Sequence, residues 1–250
     1  MQPPSFTPQE LFAHAHPLGV ERIVLIQMSF YQYDNAYMLD CMRRYPGVFA
    51  GVAVIGRQRP DVEAEMRRLK DQGVRGFRIQ PPRPGDADWL KTDAMRRMWK
   101  CGAAENLAMC HLINPEDLPA VDAMCRAHPD TPVVIDHFAR IGIEGQVREE
   151  ELRRLCALAR FPNTRVKISA FYALGEKRPP YTDLIPMIRR LLDAFGPQRL
   201  MWATDCPFQV NPGHTYAESL ALVRDRLDFL SPGDREWLLR KTAGQAFFRR

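Results

Sequence analysis

Residues 91–113, KTDAMRRMWKCGAAENLAMCHLI, contain one repeat of the pattern that decides the fold. This stretch predicts a helix over 91–106, followed by a short apolar strand over 107–113. The same alternation of strand and helix runs along the whole chain. Seven strands are predicted, over 20–27, 49–55, 74–80, 107–113, 132–138, 164–170 and 199–205.

Apolar strands that alternate with helices are typical of a parallel sheet that is buried on both faces. The sequence has no glycine-rich phosphate fingerprint of the kind that marks dinucleotide-binding doubly wound sheets. The pattern therefore favours a (β/α)8 TIM barrel, formed as a single domain by residues 1–250. Because a closed barrel has eight strands, we expect this chain to lack the first one.

The composition is that of a globular protein, with 46% hydrophobic and 26% charged residues. No apolar run reaches the roughly 20 residues of a membrane-spanning helix, and the N-terminus has no signal-peptide pattern. We expect a cytoplasmic protein with reduced cysteines, as a monomer or a homo-oligomer. The net charge of +5 comes from scattered basic pairs, whereas nucleic-acid binding needs a continuous basic face. Nucleic acid and membrane are therefore not expected as partners.

A His-x-His pair, His14 and His16, lies near the N-terminus and could be mistaken for a metal site. Thr7, Pro8 and Glu10 before it have the pattern of a helix N-cap with a capping box. Two residues apart on a helix is about 200° around the axis, so the two rings would face opposite sides. We therefore predict a helix here and no shared metal ion.

Three side chains are predicted at the carboxyl ends of strands, the end at which barrel enzymes carry their active sites. They are His111 in AMCHLI, His137 in VVIDHFAR and Asp205 in MWATDCPF. Two imidazoles and a carboxylate suit a divalent metal ion, zinc first and manganese second, which would activate a water molecule. A single buried histidine is more often a core residue, and only the convergence of three side chains favours a site.

The segments VVIDHFARIG, VKISAFYALG and RLMWATDCPF resemble the metal-dependent hydrolases of the amidohydrolase superfamily, in particular the amidohydrolase-2 type that includes lactonases. The resemblance covers essentially the whole chain. It implies that His111 binds metal and that His137 binds metal or polarises the substrate. It also implies that Asp205 binds metal and, as the general base, accepts the proton of the attacking water. Some relatives work without metal, and others decarboxylate.

The sequence departs from this family at one point, because family members carry His-x-His at the end of the first strand. Neither that strand nor that motif is found here. Either the given start lies inside a longer gene product, which we favour, or the protein lacks the strand. In the second case the metal site has lost two ligands.

Substrate contacts are predicted for Arg78 in GFRIQ, Arg140 in DHFAR and Tyr172 in the loop after the predicted strand 164–170. The resembling lactonases hold anionic substrates with arginines. Together these features predict a metal-dependent hydrolase that opens a lactone, or cleaves an ester or amide bond, of a small anionic compound. The alternatives are a metal-independent lactonase or decarboxylase, and a catalytically inactive barrel that serves as a binding module.

Overall fold

A computed structural model describes residues 5–82 and 88–248, and seven strands lie in these ranges. The strands are β1 Ile23–Ile26, β2 Phe49–Ala53, β3 Val74–Ile79, β4 Ala108–His111, β5 Val133–Ile135, β6 Thr164–Ile168 and β7 Leu200–Trp202. The α-helices are α1 Pro8–Ala15, α2 Ala36–Arg44, α3 Val62–Asp71, α4 Asp93–Glu105, α5 Leu118–Ala127, α6 Glu149–Ala157, α7 Ile185–Phe195, α8 Tyr216–Ala221, α9 Pro232–Glu236 and α10 Thr242–Phe247. Each of the seven strands overlaps its predicted range.

The chain divides into two compact units. Unit 1 comprises Met1–Glu21, Asp136–Ala159 and Arg165–Ala243, and unit 2 comprises Arg22–Ile135, Arg160–Thr164 and Gly244–Arg250. That residues 1–250 act as one domain stays a prediction. Within the described residues, no helix is both long and apolar enough to cross a membrane.

Unit 2 contains strands β1 to β5, which pair in parallel and in sequence order. Each helix from α2 to α5 connects two consecutive strands, because parallel neighbours cannot be joined by a tight turn. The strand side chains Val52, Phe77, Met109 and Val134 are fully buried. The predicted near-continuous apolar strands therefore correspond to a buried parallel sheet.

Unit 1 contains the parallel pairing of β6 with β7, in which Val166 lies beside Leu200 and Ile168 beside Trp202. Helix α7 connects them and buries Ile188 and Leu191. The six cysteines of the chain are all free thiols.

The N-terminal helix confirms the capping prediction. The Thr7 side chain accepts from the Glu10 backbone N–H, and the Glu10 carboxylate accepts from the Thr7 N–H. The two histidine rings stack on different partners, His14 on Phe6 and His16 on Phe12. The helical interpretation of this His-x-His pair is therefore confirmed.

All seven predicted strands extend past the carboxyl ends of the observed ones, and the excess is largest, about three residues, for β5 and β7. Pairing stops at Ile135 rather than 138, and at Trp202 rather than 205. His137 and Asp205 instead have positive φ, at 52° and 69°. A residue in this left-handed region cannot continue a strand, so both side chains belong to the turns that follow the strands.

Candidate active site

A left-handed turn follows β5 and holds the first candidate residue. His137, Phe138, Ala139 and Arg140 have φ of 52°, 54°, 53° and 58°. L-residues rarely occupy this region, and consecutive ones are rarer, because Cβ crowds the following carbonyl oxygen. Backbone strain of this kind concentrates at functional sites, where the surrounding contacts enforce it. The turn is therefore the strongest backbone indication of a site in unit 1.

His137 lies between two side chains of unit 1. Its Nδ1 is 2.7 Å from the Ser169 Oγ, and its Nε2 is 3.5 Å from the Asp205 Oδ1. Ser169 is fully buried, whereas the Asp205 side chain keeps 27% of its exposure. Of the three contacting residues, Asp205 is therefore the one that solvent can reach. Ser169 orients the His137 imidazole from the buried side.

Tyr172 contacts the carboxylate directly. Its hydroxyl donates to the Asp205 Oδ2 at 2.7 Å. Burial, and after it the negative charge of Asp205, raises the pKa of Tyr172, so the phenol keeps its proton. The tyrosine predicted to bind substrate thus orients the candidate base in this structure.

Arg140 ends the left-handed turn and is half-buried. Its positive charge lies close enough to Tyr172 to act against the rise in the pKa of that phenol. A cation beside the Tyr172–Asp205 pair is what an anionic substrate would need, and the substrate contact of Arg140 stays a prediction.

The buried ion pair of Lys167 and Asp136 was not anticipated. The Lys167 Nζ is 2.7 Å from the Asp136 Oδ1, with exposures of 5% and 0% for the two side chains. The structure places Lys167 on an interior carboxylate. The available signal was its spacing of two residues from Ser169 on one strand, together with the acidic residue directly before His137.

Tyr181 and His214 form a separate cluster in unit 1. The Tyr181 hydroxyl is 2.8 Å from the His214 Nδ1 and accepts from the Gln209 Nε2 at 3.0 Å. Tyr181 is only 1% exposed, so it packs in the interior and supports His214. The ring of His214 lies edge-on to Tyr172, at 6.1 Å between centroids. This cluster therefore braces Tyr172.

The other two predicted residues lie in unit 2. His111 is the last residue of β4 and is fully buried, with its ring 5.5 Å from that of Trp99 and 6.0 Å from that of Trp89. Arg78 is half-buried on β3, beside Cys110 of β4. The roles predicted for His111 and Arg78 stay predictions.

A zinc ion was tested against the side chains that are present. Catalytic zinc sites take three converging protein ligands. Across residues 5–82 and 88–248, no three His, Cys, Asp or Glu side chains group in a way that could hold a metal ion. Tyr172 donates to the Asp205 Oδ2 and Ser169 contacts the His137 Nδ1, so this pair could offer a metal ion only Oδ1 and Nε2, one ligand short of three. The described residues thus do not fit a three-ligand site, and the ligand set His111, His137 and Asp205 stays a prediction.

Comparison with known proteins identifies the class to which this fold and site belong. The family model described as "Amidohydrolase" matches residues 1–249, and the chain belongs to that family. It has the TIM-barrel-like α/β fold of the family and is an enzyme of the hydrolase class. The resemblance seen in the sequence is confirmed.

Two relatives and one solved structure indicate which members of the amidohydrolase family this chain is similar to. An L-fucono-1,5-lactonase of Burkholderia ambifaria is 31% identical over 92% of this chain and 81% of its own length. A 4-sulfomuconolactone hydrolase of Rhizobium radiobacter is 29% identical over 82% of this chain and 67% of its own. A crystal structure of a Burkholderia multivorans amidohydrolase with bound zinc superposes with a TM-score of 0.85 and 22% identity. That superposition covers 98% of this chain and 89% of the other.

The pKa of Tyr172 leads to a first prediction, for the variant Tyr172→Phe. An unfolded tyrosine ionises near pH 10, while the folded Tyr172 keeps its proton to higher pH. Its contribution to stability is therefore complete below about pH 9 and declines as the pH rises above about 10. We expect the difference in unfolding free energy between wild type and Tyr172→Phe to follow that course. Urea unfolding of both proteins between about pH 8 and 10.5 measures it; a difference that grows with pH contradicts the prediction.

Proposed function

We propose that this chain hydrolyses a lactone of a small anionic compound by activating a water molecule. The observation that carries the proposal is the Asp205 carboxylate, partly exposed and held between His137 and Tyr172. The two relatives named above are a lactonase and a lactone hydrolase, which supports the same class of reaction. The proposal deepens the family assignment by giving each group a role.

Asp205 is the general base. Its carboxylate takes a proton from a water molecule, and the water oxygen attacks the lactone carbonyl carbon. The ring C–O bond then breaks, and the proton held by Asp205 passes to the leaving alkoxide. The product carries one new carboxyl group and one new hydroxyl group, so water is the only co-reactant.

His137 stabilises the charge that develops on the carbonyl oxygen. When the Ser169 hydroxyl donates to Nδ1, the neutral ring keeps its hydrogen on Nε2, on the side of Asp205. An N–H fixed in this way can donate to an oxyanion without reorganisation during the reaction. Tyr172 meanwhile keeps the other oxygen of Asp205 oriented, so the carboxylate presents Oδ1 to the water.

Arg140 selects an anionic substrate. Its guanidinium has the planar donor geometry that matches a carboxylate or a sulfonate. We therefore expect the lactone to carry an anionic group in addition to its neutral ring ester. We also expect Arg140→Gln to raise KM for such a compound more than it lowers kcat.

The test is a hydrolysis assay on lactones that differ in one group. L-fucono-1,5-lactone, 4-sulfomuconolactone and a neutral five- or six-membered lactone serve as probes, with acid release followed by a pH indicator. We expect hydrolysis of the anionic 4-sulfomuconolactone at a kcat of order 1 s⁻¹ or more, and a lower kcat/KM for the two lactones that carry no anionic group. Release of carbon dioxide from an aromatic carboxylic acid, with all lactones intact, would favour decarboxylation instead.

The same assay also tests whether activity depends on a bound metal ion. Because a catalytic metal ion takes about three converging protein ligands and no such group lies in the described parts of the chain, we expect dialysis against a chelator to change kcat by less than about twofold. A loss of about tenfold or more that added zinc restores contradicts this expectation and favours the ligand set of His111, His137 and Asp205.

A further inference from the structure

We propose that Lys167 is a positioning residue of this site. Together with Ser169 it clamps the left-handed turn of residues 137–140 onto β6 and so aims the His137 ring at Asp205. The inference rests on the proposed function only in taking His137 and Asp205 as the reacting groups. The clamp itself is a structural statement that can be tested separately.

The first observation is the geometry of the two contacts. On an extended strand, consecutive side chains point to opposite faces, whereas residues two apart share a face. Lys167 lies on β6 and Ser169 directly follows its last residue, whereas their partners Asp136 and His137 are consecutive. Asp136 is extended and His137 is left-handed, so the two partners do not follow the alternation of a strand. The two contacts and the turn thus occur together at the carboxyl end of β6.

The second observation is the burial of the ion pair. The Lys167 and Asp136 side chains keep 5% and 0% of their exposure. Removing two charges from water is expensive, and apolar residues of similar volume are often as stable at such positions. A buried pair is therefore poorly explained by stability alone. A role in fixing the strained backbone of the turn in one geometry explains the presence of the buried ion pair.

The third observation is that the turn has a conformational cost and contains no glycine. Four L-residues adopt φ near +55°, and Ala139 and Phe138 are fully buried within it. Its far end is held where the Gly175 N–H donates to the Gly142 carbonyl at 2.9 Å. Its near end, which carries His137, is held by the contacts to Lys167 and Ser169 and by the Ala139 N–H, which donates to the Asp136 carbonyl at 3.0 Å. Without them, the first residue of the turn would be released.

The experiment compares Lys167→Met, Asp136→Asn and the double variant. Each single variant leaves one buried charge without its partner, so both should lose stability. The double variant removes both charges, and we expect its melting temperature to return close to that of wild type. Its kcat per folded chain should stay about 30-fold low with KM changed less than about twofold, because the clamp is still missing.

Recovery of kcat on introduction of a glycine distinguishes a loss of positioning from a general loss of structure. Glycine occupies the left-handed region without a Cβ penalty, so a turn with Ala139→Gly needs less clamping. Adding Ala139→Gly to the double variant should raise kcat by about fivefold or more. The exposed ion pair of Arg190 and Glu149 gives the matched control, and Arg190→Met with Glu149→Gln should leave kcat within about twofold.

A kcat that recovers with stability in the double variant overturns the proposal, because the pair would then be a structural element only. A crystal structure of the double variant gives a readout that does not depend on activity. We expect φ at His137 to leave the left-handed region and the 2.7 Å contact to Ser169 to lengthen. A turn that is unchanged overturns the clamp even if wild type proves to have no lactonase activity, whereas a lost turn supports it.

Discussion

Asp205→Asn is expected to lower kcat for lactone hydrolysis by about 1,000-fold, with KM changed much less. Asparagine has the same shape as aspartate, but its amide has no site that takes a proton at neutral pH. The Tyr172 hydroxyl can still donate to the amide oxygen, so the geometry on that side is retained. The loss therefore reports the missing base. Steady-state kinetics on the best lactone of the panel measures it.

The matched control is Asp228→Asn. Asp228 lies in the same unit, its side chain is 92% exposed, and the Arg189 Nη2 is 3.8 Å from its Oδ1. We expect its kcat within about twofold of wild type. If Asp205→Asn kept more than about a tenth of wild-type kcat, Asp205 would not be the base, and the mechanism would need another proton acceptor.

Phe138→Ala is expected to lower the free energy of unfolding by about 3–5 kcal/mol. The Phe138 ring is fully buried and lies 6.2 Å from the ring of Phe171, which is itself fully buried. Truncation would leave a cavity directly beneath the left-handed turn, and the turn cannot collapse into it while its ends are held. Urea unfolding monitored by circular dichroism measures the change.

Phe229→Ala provides the comparison for this stability effect. Phe229 is half-buried, with the Arg189 guanidinium 3.9 Å from its ring centroid. Truncation removes less buried area there, so we expect the free energy of unfolding to fall by about 1 kcal/mol. Equal losses for the two variants would show that the packing beneath the turn is not tighter than at the surface.

Local signals were sufficient for much of the fold. The alternation of apolar runs with helical sequence predicted seven strands and their helices, since burial on both faces of a parallel sheet imposes that pattern. The capping box at Thr7 and Glu10 predicted the first helix, because it involves neighbouring residues only. The capping box depends on residues close in sequence, and the apolar runs mark the segments that must be buried, so the chain itself specifies both.

The site was predicted less completely. His137 and Asp205 were identified from their segments, and the structure places them 3.5 Å apart. Tyr172 was predicted to touch substrate but donates to Asp205, a contact between residues 33 positions apart that no local pattern encodes. No group of three metal-binding side chains lies in the described residues, and the roles of the predicted metal ligands stay open to the chelator test.

The sequence by itself determined the order of the strands, the helix starts and the identity of the histidine and aspartate that follow β5 and β7. Only the tertiary structure decided the conformation of residues 137–140. An isolated chain of four L-residues would leave the left-handed region, because each pays a steric cost there. Contacts with Lys167 on β6 and with Ser169 directly after it hold the turn in place, and such contacts exist only after the chain has folded.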